Sequence, residues 1–416
     1  MKDHRAVKAP GASTSHMTQN NAPLVSVIIP AFNSGEWLAQ AIDSALGQSY
    51  PNVEIVVVND GSTDLSAREI AHRYIPLITY IERENGGVAA ARNTGINASN
   101  GELIALLDQD DVWLPHKLEV EVRAWLAHPH VALVHSSYHL IDEQGKRVST
   151  LGDQKWLSRL REREYRPLPD LLVDVPICSA TTLFPRKILD EVGLLDPMLS
   201  GTDDWDLWLR MAARGYPFYC IGEPLAEYRT HTANTSRNID LMVSGVLRTL
   251  DKFYALPSIP KSALHYQTRA YFNRHAWAAS LYYGAGRIHN AQHHLRLAAR
   301  YYPQGLATGR LLQSLVYAQQ PQPNKADAEA AIRFVYKTLS NENLPSTIKR
   351  RLRSRAQLVL ALHAGRQLEI ARRVAYILLG NPHLFADHEL WSVGRRLLSR
   401  IIGRFKARIT GQRETA

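Results

Sequence analysis

The sequence predicts an α/β domain with a mostly parallel central sheet in its first half and an all-α region in its second half. In the first half, apolar runs of strand length alternate with segments of helical spacing, the order typical of right-handed βαβ units. After about residue 238 the strand signals stop, and Ala, Leu, Arg and Tyr recur at helical spacing. At 416 residues the chain is long enough for two domains, and 45% hydrophobic residues are ample for folded cores.

The first elements alternate regularly, and each strand is followed by a polar turn. The predicted order is strand 24–30, helix 36–46, strand 53–58, helix 66–74, strand 78–81 and helix 87–98. In open α/β sheets, ligands bind at the carboxyl ends of the strands. We therefore expect the turns after these strands to line one ligand-binding edge.

The fourth strand ends in a cluster of acids. The apolar run 103–107 is followed by Asp108, Gln109, Asp110 and Asp111. Clustered carboxylates repel one another and cost desolvation unless a cation or hydrogen bonds offset them. The pattern suits a hard divalent ion with open positions for phosphate oxygens. The alternative is a strand that ends in a solvated acidic turn.

The rest of the first half adds further elements and a second acidic pair. We predict a helix from 112–118 to about 127, a charged amphipathic insertion at 156–166, and strands at 131–135, 179–184 and 216–221. Asp203 and Asp204 stand at the start of a helix. Acids favour the first turn of a helix, so capping is one explanation for this pair and catalysis is the other.

Four motifs, taken in order, resemble the nucleotide-sugar half of family-two glycosyltransferases, which are inverting enzymes of the GT-A fold. They lie at 27–33, 58–64, 84–93 and 107–111, and the resemblance extends over about 24–236. It implies a nucleotide-sugar donor, most often uridine-linked, a divalent metal (Mn²⁺ or Mg²⁺), and a glycan or lipid-linked acceptor.

The resemblance also implies roles for individual residues. Asp60 would hydrogen-bond the base, Asp108 would lie near the ribose or sugar, and Asp110 would bind the metal. Asp111 would support the site. The remaining donor-binding candidates are Pro30, Ala31, Asn33, Arg83, Asn85, Arg92 and Gln109. For Arg92 the alternative is a solvated helix arginine, whereas a binding role would direct it to phosphate.

The second acidic pair resembles the family's catalytic acids, although the family more often has Glu where Asp203 stands. We assign Asp204 as the catalytic base and Asp203 as its support. A sugar hydroxyl is a poor nucleophile, and a carboxylate within hydrogen-bond reach takes its proton during attack. Within Tyr-Arg-x-His, His231 is a predicted metal or diphosphate ligand. Arg229 either neutralises phosphate or forms a salt bridge with Glu227.

The helical half contains a loose repeat. Segments 286–303, 328–345 and 365–382 each span the same interval and end at a proline. Helix pairs of such a period stack as solenoids, so the region resembles degenerate tetratricopeptide-type repeats. An irregular helical bundle is the alternative. We place the domains at 23–238 and 239–388, after a disordered leader at 1–22.

The last segment, 389–416, is predicted to be a basic amphipathic helix. Apolar side chains, with Trp391 and Phe405 among them, share one face at 390–409, and arginines lie mostly on the others. Such a helix suits peripheral contact with an anionic membrane, or it packs as an ordinary terminal helix. No stretch of the chain approaches the roughly 18 apolar residues of a membrane span.

Charge and cysteine content narrow the function further. The net charge is +10, which favours anionic partners, but no nucleic-acid motif accompanies it. The two cysteines allow one disulfide at most and fit a reducing compartment. We expect a cytoplasmic enzyme, either free in the cytoplasm or peripheral on the inner face of the plasma membrane. The alternatives are a nucleotidyltransferase and a helical scaffold beside an inactive transferase domain.

Overall fold

The computed structural model describes residues 22–150, 162–173, 177–199, 201–318 and 323–363. The chain divides into two compact units, one of residues 1–171 and 175–234 and the other of 172–174 and 235–416. The predicted leader up to residue 21, the third repeat segment and the basic terminal helix lie outside the described residues.

In the described ranges, the first unit is built on one ten-stranded sheet with the order β3-β2-β1-β4-β9-β6-β10-β5, in which β7 pairs with β6 and β8 with β10. The strands are β1 (Val25–Ala31), β2 (Val53–Asn59), β3 (Thr79–Glu82), β4 (Leu103–Leu106), β5 (Val112–Trp113), β6 (Leu133–Ile141), β7 (Arg147–Thr150), β8 (Arg163–Tyr165), β9 (Thr182–Pro185) and β10 (Phe218–Arg229).

The predicted α/β class is confirmed, and the sheet is mixed. Strands β3, β2, β1 and β4 are parallel, with Val25 opposite both Val53 and Leu103. Strand β9 then pairs antiparallel with β4 and β6, whereas β6 and β10 are parallel. Every residue of β1 is buried, as expected of a parallel strand covered on both faces.

The described α-helices of the first unit are α1 (Trp37–Leu46), α2 (Ser66–His72), α3 (Val88–Ala98), α4 (Lys117–Ala127), α5 (Leu168–Val173), whose last two residues belong to the second unit, α6 (Lys187–Val192) and α7 (Asp203–Ala213). Three expectations were wrong locally. Residues 112–113, which were predicted to open a helix, form β5, and α4 begins only at Lys117. Residues 179–181 form a 3₁₀ turn before β9, and the end of the predicted 156–166 insertion forms β8. Pairing of β8 with the edge of β10 prevails there over the local charge pattern.

A glycine lets α3 approach the sheet closely. A Cβ atom at Gly95 would lie 2.6 Å from Ile28 Cγ2 on β1. Since real Cβ atoms do not approach other atoms so closely, this position requires glycine. The same Cβ position lies 3.2 Å from Val58 Cγ2, so α3 packs closely against both β1 and β2.

The second unit is helical. Its described helices are α8 (Ile239–Tyr254), α9 (Lys261–Gly284), α10 (Ile288–Tyr301), α11 (Arg310–Tyr317), α12 (Lys325–Leu339) and α13 (Ser346–His363). The first two repeat segments coincide with α10 and α12, and the choice between a repeat stack and a bundle stays a prediction. Among the described residues, no helix has the length and apolar character needed to cross a membrane.

Candidate active site

Hydrogen bonds join the loops after β1 and β2. The amide of Asp60 donates to Ala31 O at 2.8 Å, directly after the last residue pair of β1 and β2, which is Ala31 with Asn59. Asn33 has a left-handed backbone (φ 48°), and its Oδ1 accepts from the amide of Thr63 at 2.9 Å. Asn33 therefore shapes this edge of the sheet.

Gln109 connects the β1 loop to the acidic cluster. Its Oε1 accepts from the amide of Phe32 at 2.6 Å, and its Nε2 donates to Phe32 O at 3.1 Å. The side chain is thus used in both directions to hold the loop. Direct contact of Gln109 with a donor stays a prediction.

Asp60 forms a clamp between loops. Its buried carboxylate accepts from the amides of Gly86 and Gly87, the latter at 2.7 Å, and pairs with the guanidinium of Arg83. Asn85 Nδ2 donates to Asp60 O at 2.8 Å. Since only 4% of the Asp60 side chain is exposed, its predicted contact with a base requires Arg83 or a neighbouring loop to move.

Asp110 and His231 lie side by side, and their roles as metal or diphosphate ligands stay predictions. His231 Nε2 lies 2.7 Å from Asp110 Oδ2, and Asn234 Nδ2 donates to the same oxygen at 3.3 Å. The Trp37 ring packs on the imidazole, with 4.3 Å between ring centroids. Burial and the charge of Asp108 raise the pKa of Asp110, whereas His231 opposes the rise.

Asp111 and Arg229 hold the backbone around Asp110 in place. Asp111 Oδ1 accepts from the amide of Arg229 at 2.9 Å, and burial raises the pKa of its carboxyl well above the usual range. The Arg229 side chain donates to Asp110 O at 2.8 Å and to Gln40 Oε1 at 2.8 Å. Of the two alternatives for Arg229, the salt bridge with Glu227 is wrong, because Glu227 pairs with Arg147.

Arg92 is the hub of the site. Its guanidinium is buried, and it donates to Asp108 Oδ1 at 2.5 Å, Asp203 Oδ2 at 2.8 Å and Ser179 Oγ at 3.1 Å. The solvated helix arginine was therefore wrong. The carboxylates of Asp108 and Asp203 neutralise the charge of Arg92. Contact of Arg92 with phosphate stays a prediction.

Asp203 and Asp204 occupy different environments at the start of α7. Asp203 is buried and paired with Arg92, whereas Asp204 is half-buried and its Oδ1 accepts from the amide of Trp205 at 2.6 Å. Burial, with the charge of Asp203 adding to it and that of Arg92 opposing it, raises the pKa of Asp204 to about 7. A carboxyl group with that pKa suits proton transfer near neutral pH.

Sequence reasoning missed three contributors: Trp37, Ser179 and Asn234. Asn234 follows His231 by three residues, and its Oδ1 accepts the amide of His231 at 2.5 Å. Trp37 is the first residue of α1, directly after the loop that carries Asn33. Ser179 lay within a predicted strand, and its contacts with Arg92 and Asp108 depend on folding that spacing does not encode.

The donor set tests whether a divalent metal fits. Within the described ranges no group of three or more His, Cys, Asp or Glu is arranged to hold a metal ion. Asp110 and His231 nevertheless offer a carboxylate oxygen and an imidazole nitrogen side by side. His231 Nδ1 is buried and lacks a hydrogen-bond partner in the described part of the chain. These residues fit a metal that takes its other ligands from a bound substrate.

Comparisons with known proteins show what the chain is similar to. The family model described as "Glycosyl transferase family 2" matches residues 26–193. An uncharacterized glycosyltransferase of Rickettsia typhi is 36% identical over 247 residues, covering 57% of this chain and 76% of the relative. A putative teichuronic acid biosynthesis glycosyltransferase of Bacillus subtilis is 30% identical over 224 residues, covering 53% of this chain and 84% of the relative.

One solved structure supports the fold. A mannosyltransferase from Pyrobaculum calidifontis, in complex with GDP-mannose and Mn²⁺, superposes with a TM-score of 0.50 at 21% identity. The match covers 77% of this chain and 88% of that one. The family model ends before Asp203, so the roles of the second acidic pair and of His231 rest on the resemblance and on their geometry.

Proposed function

We propose that this chain, which belongs to glycosyl transferase family 2, transfers a sugar from a nucleoside-diphosphate sugar to a hydroxyl of a glycan or lipid-linked acceptor. The transfer inverts the anomeric centre. The chain is a glycosyltransferase on the ground of its family, which speaks against the nucleotidyltransferase alternative. One observation carries the finer proposal: Arg92 joins Asp108 on the donor side to Asp203, the neighbour of the candidate base.

Asp204 is the proposed catalytic base. Its carboxylate takes the proton of the acceptor hydroxyl while the oxygen attacks the anomeric carbon from the face opposite the diphosphate. The bond to the diphosphate breaks as the new glycosidic bond forms, so one displacement inverts the centre. With its pKa raised to about 7, Asp204 is a stronger base than an exposed aspartate and is still largely ionised in mildly alkaline solution.

Asp110 and His231 are the proposed metal ligands. A bound Mn²⁺ or Mg²⁺ would supply charge neutralisation for the departing diphosphate. An imidazole ligand suits Mn²⁺ better than Mg²⁺, which prefers oxygen. The mannosyltransferase of similar fold was solved with Mn²⁺, in line with this proposal.

The donor is proposed to be uridine-linked, on the resemblance around Asp60. An aspartate beside an arginine presents an acceptor and a donor, which match the N3–H and a carbonyl of uracil. Because internal donors already occupy Asp60, we expect Arg83, whose side chain is 26% exposed, to move when the base binds. Guanine also has an N–H next to a carbonyl, so GDP is the competing nucleotide.

The acceptor is proposed to belong to polysaccharide synthesis, since a relative covered over most of its length is named for teichuronic acid biosynthesis. We further propose that segment 390–409 makes peripheral contact with an anionic membrane at the cytoplasmic face. Deletion of residues 390–416 should then release the protein from anionic liposomes. Equal liposome binding with and without the segment would contradict this contact.

Calorimetric titration tests the donor site. UDP, GDP, dTDP and CDP are titrated with Mn²⁺ and again with chelator, and Asp110→Asn serves as the matched variant. We expect Mn²⁺-dependent binding of UDP that the variant loses. Binding of UDP at equal affinity with chelator would contradict the metal role, and binding of GDP alone would overturn the uridine assignment.

A further inference from the structure

Ser179 stands at the junction of the two acidic groups. It lies in the 3₁₀ turn before β9 and is buried. Its Oγ donates to Asp108 Oδ2 at 3.0 Å and accepts from Arg92 Nη2 at 3.1 Å. The hydroxyl thus uses its single proton on the carboxylate and a lone pair on the guanidinium.

With Ser179 in place, both oxygens of Asp108 are held. Arg92 Nη2 contacts Oδ1 at 2.5 Å and Ser179 contacts Oδ2, so the carboxylate plane is fixed. About one quarter of the Asp108 side chain remains exposed (26%), which leaves it access to a bound donor. Through Arg92 Nη1 the same network reaches Asp203 Oδ2 at 2.8 Å, one residue before the candidate base.

The turn that carries Ser179 is itself held in place. Thr182 Oγ1 donates to Ser179 O at 2.7 Å, and Trp113 Nε1 donates to Ala180 O at 2.7 Å. Trp113 is a buried residue of β5, which pairs with β10. A fixed backbone gives the Ser179 hydroxyl little freedom to leave Asp108, because the serine side chain has one rotatable bond to its oxygen.

We infer that Ser179 is a positioning residue. Through its hydrogen bonds with Asp108 and Arg92, it holds the Asp108 carboxylate in a fixed position relative to the first turn of α7. The inference rests on the proposed function, because it assumes that Asp108 faces the donor and Asp204 faces the acceptor. Positioning of two reacting groups governs the rate of a displacement more than the affinity for either substrate. The expected signature is therefore in kcat.

The test compares Ser179→Ala with two matched variants in the full chain. Ser179→Thr keeps the hydroxyl. Ser136→Ala removes another buried hydroxyl that donates to a carboxylate, at 3.3 Å on Glu121, outside the network of Asp108, Arg92 and Asp203. We expect Ser179→Ala to lower kcat roughly tenfold or more, as befits a lost charge-assisted hydrogen bond, with donor KM within about twofold.

We expect Ser179→Thr to recover at least part of kcat and Ser136→Ala to leave it within about twofold of the parent. A Ser179→Ala enzyme with parental kcat, or with loss confined to KM, would overturn the inference. Hydrogen exchange gives a readout without turnover: amides of 201–206 should exchange faster in Ser179→Ala than in Ser136→Ala. If the parent transfers no sugar, the proposed function fails, and equal exchange in both variants would separately refute the Ser179 link.

Discussion

The ion pair of Lys117 and Glu121 on α4 allows a quantitative prediction of stability. Lys117 Nζ donates to Glu121 Oε2 at 2.5 Å, and neither side chain has any exposed surface. Burial lowers the pKa of Lys117 and raises that of Glu121 to about 7. Glu121→Gln keeps the volume but leaves the ammonium buried without its counter-charge.

The cost of Glu121→Gln follows from the two ways in which Lys117 can respond. Breaking a buried pair while one charge remains costs roughly 3–5 kcal/mol. The lysine can instead lose its proton, and moving from its ordinary pKa of 10.5 to pH 7 costs about 5 kcal/mol at 1.36 kcal/mol per unit. Because Lys117 takes whichever route costs less, the loss cannot exceed the cost of deprotonation. We therefore expect Glu121→Gln to lower the free energy of unfolding by about 3–5 kcal/mol.

Urea unfolding followed by tryptophan fluorescence measures this loss, since six of the eight tryptophans precede residue 235. The control is Arg123→Gln, which breaks a pair with Glu119 of the same spacing on the same helix, with side chains 66% and 40% exposed. Exposed pairs contribute less than about 1 kcal/mol.

The double variant Lys117→Met/Glu121→Leu should be within about 1 kcal/mol of the parent or more stable, because no charge stays buried. Equal losses in the free energy of unfolding for Glu121→Gln and Arg123→Gln would contradict the larger cost expected for breaking the buried pair. A double variant as unstable as Glu121→Gln would contradict the assignment of that cost to the unpaired buried charge.

Three further predictions follow from other sites. Asp204→Asn should lower kcat by roughly 10²–10⁴ with donor affinity unchanged, and the parent kcat/KM should rise with pH through about 7 as Asp204 ionises, as measured by initial rates. In the helical unit, His275 Nδ1 and His294 Nδ1 lie 2.9 Å apart, and burial lowers the pKa of both residues to about 4. Because the unfolded state binds more protons in this range, the free energy of unfolding should fall as the pH drops from 6.5 towards 4. Hydrogen exchange of the α9 and α10 amides measures this loss. Gly95→Ala should destabilise the first unit by roughly 1–3 kcal/mol in urea, because the added methyl group would meet Ile28.

The fold of the first unit was largely predictable, because apolar runs and polar turns mark its βαβ units directly. Strands β1, β2 and β4 begin where the pattern placed them or one residue away. The later strands were harder to predict from the sequence. Strand β8 is only three residues long and is stabilised by pairing with β10, so its own sequence carries a weak signal.

The candidate site was predictable as a set of acids but not as a network. Asp110 and His231 were expected near the metal, and the structure brings them together. Nothing in the spacing revealed that Arg92 would be buried between Asp108 and Asp203, or that Ser179 would complete that network. These contacts join residues 16 to 111 positions apart, and only the packed fold brings them within reach.

The stereochemistry of the product tests whether the protein transfers sugar with inversion and with Asp204 as the base. An α-linked UDP-sugar is incubated with the protein, Mn²⁺ and methanol as a surrogate acceptor, and the methyl glycoside, which cannot mutarotate, is identified by its anomeric ¹H coupling. We expect the β-glycoside, and we expect Asp204→Asn to lose its formation. The α-glycoside, or β-glycoside formed at an undiminished rate by Asp204→Asn, would contradict it.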